Sequence, residues 1–255
     1  MSGISTDPID RLSPGRRPGS RVVMYQKWRF LSFLHWSVPP DSLRALLPAG
    51  LELDLYDGRA YVGLVPFTML EVRPAGFPSV PWLSSFHETN VRTYVHFKGQ
   101  DPGVWFFSLE AANPVAVAMA RAMFHLPYHH ARMTLDVEPS LGGSVSYSSD
   151  RLWPGPLPAR CSVSCMPRPT VAPAEPGTLD HFLIERYFLY CTSRGRIYRG
   201  QVHHDPYPVQ IADISGPEET LLASSGLTRP AEVPLAHYAA GVDVEIFSLR
   251  RVANS

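Results

Sequence analysis

Between Phe86 and Phe97 polar and apolar residues alternate with a period of two, which predicts a β-strand with one hydrophilic row: Glu88, Asn90, Arg92, Tyr94 and His96. The opposite row carries His87, Thr89, Val91, Thr93, Val95 and Phe97. Lys98–Gly103 turns the chain, and Val104–Glu110 follows as a strand that is apolar on both faces. Asn113 is an N-cap with Pro114 at the first helical position, which predicts a helix over 115–124. Upstream, Pro39-Pro40-Asp41 opens a short helix over 42–47. Leu51–Tyr56 then leads into Asp57-Gly58, a hairpin signal, with Ala60–Met69 as the returning strand. Arg73–Trp82, rich in Pro and Gly, reads as a loop or lid. Downstream, strands are expected at 130–138, 143–151, 160–166, 196–204, 209–214 and 242–249, with an amphipathic helix at 178–187 and a short one at 217–223. Many short strands with a few helices, and no repeat or break in composition, predict an α+β, mainly β fold: one domain over 23–250 built on a curved or closed antiparallel sheet. Residues 1–22, rich in Pro, Gly, Ser and Arg, read as a disordered leader.

Composition narrows the function. With 45% hydrophobic and 18% charged residues the chain has material for a substantial core. Zero formal net charge and no long basic run argue against nucleic acid. No segment approaches the apolar length of a membrane span, and residues 1–20 lack the apolar stretch of a signal peptide. Cys161, Cys165 and Cys191 fit no metal-ligand spacing and read as buried thiols in a reducing compartment. The expectation is a cytoplasmic protein acting on a small molecule, with a homo-oligomer compatible with the chain. All but two of the 23 basic residues are arginine, and arginine pairs with carboxylates or phosphates but forms no Schiff base.

The polar row of 86–97 is either the wet side of a sheet or the wall of an internal cavity. The helix 115–124 has a single charge, Arg121, among valines, alanines and methionines. A helix apolar all round is buried, so Arg121 requires a partner: Glu88, Glu110 or a ligand carboxylate. His129 and His130 are adjacent and point to opposite faces of a strand. The histidines show no H-x-H or H-E-x-x-H spacing, no serine lies in a G-x-S-x-G context, and no dinucleotide or flavin fingerprint occurs; neither a metal nor a cofactor is expected.

Several segments together closely resemble the uncharacterised YqjF-like family of the acetoacetate-decarboxylase-like superfamily: SFHETNVRTYV, GVWFFSLEA, ARAMFHLPYHHARM, TLDHFLIERYFLY and VHHDPYPV, in consistent order from about Trp28 to Val244. The resemblance implies a cone-like, closed antiparallel β-barrel around a central cavity, with helices packed outside. Acetoacetate decarboxylases carry an R-E-x-x-G-x-P-K-K run whose first lysine forms the Schiff base. In this chain Arg121 and Pro127 match that run, while Tyr128 and His129 stand where the two lysines would be. Decarboxylation through an imine is therefore not available at this site. The resemblance implies Glu88 as the cavity glutamate. The expected catalytic residues are Glu88, Tyr128 and His129 as general acids or bases, and the expected substrate-binding residues are Asn90, Arg92, Tyr94 and Arg121. Lyase, isomerase or cyclase chemistry on a carbonyl or carboxylate compound is within reach of these groups. A non-catalytic binding or sensing protein would use the same polar row.

Overall fold

Alternation along the chain becomes a long sheet in the computed structural model, which describes residues 9–139 and 142–252. The strands are β1 (Val22–Val38), β2 (Glu52–Leu53), β3 (Ala60–Pro74), β4 (Phe86–Phe97), β5 (Gln100–Ala111), β6 (Tyr128–Val137), β7 (Val145–Trp153), β8 (Arg160–Pro167), β9 (Phe188–Ser193), β10 (Arg196–His203), β11 (Val209–Glu219), β12 (Leu235–Phe247) and β13 (Arg250–Arg251). The helices are α1 (Pro40–Arg44), α2 (Pro114–Phe124), α3 (Leu179–Ile184) and α4 (Leu221–Ser224). A mainly β architecture with few helices is thus observed.

The pairings close on themselves. One circuit runs β5-β6-β7-β8-β11-β12-β1-β3-β4 and returns to β5; a second runs β12-β1-β3-β4-β5-β9-β10 and returns to β12. The five strands β12, β1, β3, β4 and β5 belong to both, so each has an interior on either side. Residue parity divides accordingly. Leu34, Trp36, Val62, Leu64 and Val91 pack into one core with β7, β8 and β11. Phe33, Val65, Phe67, Met69 and Tyr94 pack into the other, with Phe182, Leu183 and Ile184 of α3. A strand buried on both faces has no wet side, which is why nine consecutive residues of β4, from Glu88 to His96, are buried.

On β12 the sides exchange: Ala236 and Tyr238 face the first core, Val242 and Val244 the second. The change falls at Gly241, where an added Cβ would stand 2.3 Å from the Trp28 carbonyl oxygen, so no larger residue fits.

Several expectations need correction. The Asp57-Gly58 turn forms, with Tyr56 bridging Arg59, but β2 pairs with β4 rather than with β3. The sheet is not wholly antiparallel, because β5 lies parallel to β6 and to β9. Where a disordered leader was expected, residues 9–21 lie against the sheet. Ser13–Gly15 form a 3-10 turn, Arg11 pairs with buried Asp54, and Gln201 donates to the Pro14 carbonyl at 3.1 Å. The earlier part of that leader, residues 1–8, lies outside the described residues. No helix among the described residues is long and apolar enough to cross a membrane.

Candidate active site

A cavity of about 230 Å³ opens within the second circuit, between β1, β3, β4 and β5, with α2 laid across it. Alternation on β4 points Glu88, Asn90 and Arg92 into it. The Asn113 cap fixes where α2 starts: its side-chain oxygen accepts from the backbone N–H of Val115 at 3.0 Å and of Ala116 at 3.1 Å. From there Ala116, Met119, Ala120, Met123 and Phe124, at helical spacing, face the cavity. The helix ends at His125, whose left-handed backbone (φ 54°) turns the chain so that β6 begins beside β5. Tyr128, the first residue of β6, then points into the cavity and donates its hydroxyl proton to Glu88 Oε2 at 2.7 Å.

Glu88 is 2% exposed and has no cation within ion-pair distance among the described residues. Burial pushes its pKa up to about 8, against the opposing pull of the Tyr128 and Asn90 side chains. The carboxyl is therefore held mostly protonated near neutrality. Burial and the adjacent Glu88 also push the Tyr128 phenol up, so it stays a neutral donor. The pair is a proton-carrying unit in an apolar chamber.

Arg92 occupies the far end of the row. Its Nη2 donates to the Leu183 carbonyl oxygen at 3.1 Å, in the last turn of α3, where helix carbonyls lack intrahelical partners. The guanidinium lies over the rings of Phe33 and Tyr94, at 5.6 and 5.8 Å. Among the described residues its Nε has no hydrogen-bond partner and no carboxylate pairs with it. Gly63 on β3 leaves room for it: a Cβ there would come within 3.3 Å of Arg92 Cγ and 3.1 Å of the His35 ring.

The remaining expected site residues lie elsewhere. Tyr94 does not line the cavity; its hydroxyl donates to the Leu183 carbonyl at 2.7 Å, with His35 Nε2 at 2.8 Å. His129 points away from Tyr128, to the other face of β6. Its Nδ1 lies 2.8 Å from the Pro154 carbonyl, and burial, reinforced by Arg151 and Arg121, lowers its pKa to about 4. Arg121 is exposed on α2, where it donates to the Tyr128 carbonyl at 2.6 Å; the helix is covered on one side only, so no internal partner is required. The partner of Glu110 is Arg151 instead, a fully buried pair outside the cavity.

Sequence reasoning missed most of the wall, including Trp28, Phe106 and Tyr207. The alternation of Gln26, Trp28 and the following residues was the available signal, masked by the irregularity at Phe30 (φ 55°). Neither lysine lines the cavity: Lys27 pairs with Glu71 at the surface and Lys98 sits in the β4–β5 turn. Among the described residues no group of three or more His, Cys, Asp or Glu is placed to hold a metal ion.

Residues 25–243 match the DUF2071 family, described as an uncharacterized conserved protein. The chain belongs to this family. Uncharacterized protein YqjF of Bacillus subtilis (strain 168) is 39% identical over 236 residues, covering 92% of this chain and 94% of that protein. Among solved structures, the enduracididine biosynthesis enzyme MppR, complexed with the condensation product of pyruvate and imidazole 4-carboxaldehyde, superposes with a TM-score of 0.64 at 14% identity, over 91% of this chain and 90% of that one. Acetoacetate decarboxylase from Legionella pneumophila superposes with a TM-score of 0.61 at 14% identity, over 99% and 98%. The fold of this family member is therefore acetoacetate-decarboxylase-like.

Proposed function

We propose that this protein is an enzyme of small-molecule metabolism that moves a proton on a carbonyl or carboxylate compound, in the manner of a lyase, isomerase or cyclase, without an imine intermediate. The observation that carries the reading is Glu88: a carboxyl buried in a cavity, paired with no cation among the described residues, raised to about 8 and held by the Tyr128 hydroxyl. Protonated, it donates to a substrate carbonyl oxygen; ionised, it takes a proton from the carbon next to that carbonyl. Tyr128 supports the ionised form through its hydrogen bond. Arg92, buried without a carboxylate, attracts the anionic end of the substrate. The two strand circuits support a closed, cone-like barrel as the frame of this chamber. The complex of MppR with a pyruvate condensation product supports carbonyl chemistry within this fold. Three buried cysteines without disulfides support a cytoplasmic location.

Proton exchange tests this reading whichever product forms. Incubated in D2O with a panel of 2-oxo and 3-oxo acids, the protein accelerates deuterium incorporation next to the carbonyl, read by NMR. Glu88→Gln lowers that rate by about 100-fold or more, in line with loss of a general acid–base group, while the protein still melts in one cooperative transition. Ligands retained unchanged, with no exchange for any oxo acid, would instead favour a non-catalytic binding protein.

A further inference from the structure

The polar groups lie along one strand of the cavity wall. Glu88, Asn90 and Arg92 come from consecutive inward positions of β4, with Tyr128 and Tyr207 beside them. The rest of the wall is aliphatic and aromatic. Gln26 is the exception on β1, and its amide is already engaged: Trp28 Nε1 donates to its Oε1 at 2.7 Å, and its Nε2 faces Met24 Sδ at 3.3 Å. Under α2 the chamber is lined by Met69, Ala116, Met119, Ala120 and Met123, of which Met119 and Met123 are also exposed, so this end reaches solvent. Methionine side chains adapt to irregular apolar partners. A three- or four-carbon oxo acid bound at Arg92 would leave most of the 230 Å³ empty, and an empty apolar cavity costs stability that an apolar ligand recovers.

We propose that the ligand of this cavity is an amphipathic oxo acid with a medium-length alkyl or an aryl body. Its acid head lies along Glu88, Asn90 and Arg92, and its apolar body runs beneath α2 toward Met119 and Met123. The inference rests on the reading of this cavity as the substrate site, but it concerns binding and holds whether or not turnover follows.

Calorimetric titration of the full chain with straight-chain 2-oxo acids, from 2-oxobutanoate to 2-oxododecanoate, and with phenylpyruvate tests it. The expected result is one site per chain, with Kd falling by about fourfold per added methylene until the chamber is full, then levelling. Ala120→Phe moves the levelling point to a shorter acid and weakens the longest member at least tenfold more than the shortest. A Kd that is flat or rises with chain length in the wild-type protein, or no binding of any member, overturns the proposal without reliance on the variant. Length-dependent binding with no deuterium exchange sustains this inference and removes the catalytic reading. Exchange confined to the shortest acids, with no gain in affinity along the series, does the reverse.

Discussion

Two buried glutamates on adjacent strands meet opposite fates. Glu110 on β5 faces the first core and is held by Arg151 through Nε at 3.0 Å and through Nη2. Glu88 on β4 faces the second interior, pairs with no guanidinium among the described residues, and keeps its proton beside the Tyr128 phenol. Burial raises the pKa of both; Arg151 opposes the rise at Glu110, whereas at Glu88 the Tyr128 and Asn90 side chains oppose it. Desolvation alone therefore does not make a reactive group. A carboxyl locked into an ion pair stabilises one fold; a carboxyl left without a cation, beside an open chamber, exchanges its proton with whatever enters.

The largest effect expected from breaking this contrast is structural. Arg151→Met strands the Glu110 charge and lowers stability by about 3–5 kcal/mol. The melting temperature falls by roughly 10 °C. Glu110→Gln together with Arg151→Met recovers a good part of that loss, as thermal denaturation would show. If the single variant melts like the wild type, the pair is not structural.

A smaller effect appears in the pH dependence of stability. Glu88 binds its proton more tightly folded than unfolded, so stability falls as pH rises from the ordinary carboxyl value through about 8. His129 and His204, both lowered to about 4 by burial, act in the opposite sense: their contribution is present above the ordinary imidazole value and is lost as pH falls through about 4. Between about pH 6.5 and 8 the Glu88 slope runs unopposed by those histidines, at up to about 1.4 kcal/mol per pH unit. Denaturant titrations across that window should show the slope in wild type and its loss in Glu88→Gln. Equal slopes in both proteins would place the titration elsewhere.

Tyr128→Phe is the mildest change. It removes one hydrogen bond worth about 0.5–1.5 kcal/mol to the ionised carboxyl, which raises the Glu88 pKa by roughly one unit. The pH profile of deuterium exchange moves upward with it. A profile that stays in place would mean that Tyr128 does not act through Glu88.

The half of this contrast that lies on β4 was legible in the sequence, because a period of two fixes which residues share a face. The Asn113-Pro114 start of α2 was equally legible, since a cap is a local interaction. The missing half is non-local. β1, seventeen residues long, gave no clean alternation because both its faces are buried from Leu31 to Trp36 and its parity shifts near Phe30. β9 pairs in parallel with a strand more than eighty residues earlier. The Arg121 partner was misjudged because an apolar helix implies burial only if something covers every side, and α2 leaves Val115, Met119 and Met123 exposed. Tyr128 and His129 could be separated only by the register of β6 against β5, which turns the first toward Glu88 and the second away.

The protonation state of the Glu88 carboxyl separates these two fates. Selective 13C labelling of glutamate side chains, with the signal assigned by its absence in Glu88→Gln, follows that group through a pH titration. A carboxyl carbon that titrates near pH 8 is the predicted result; one that titrates in the ordinary carboxylate range would contradict the account.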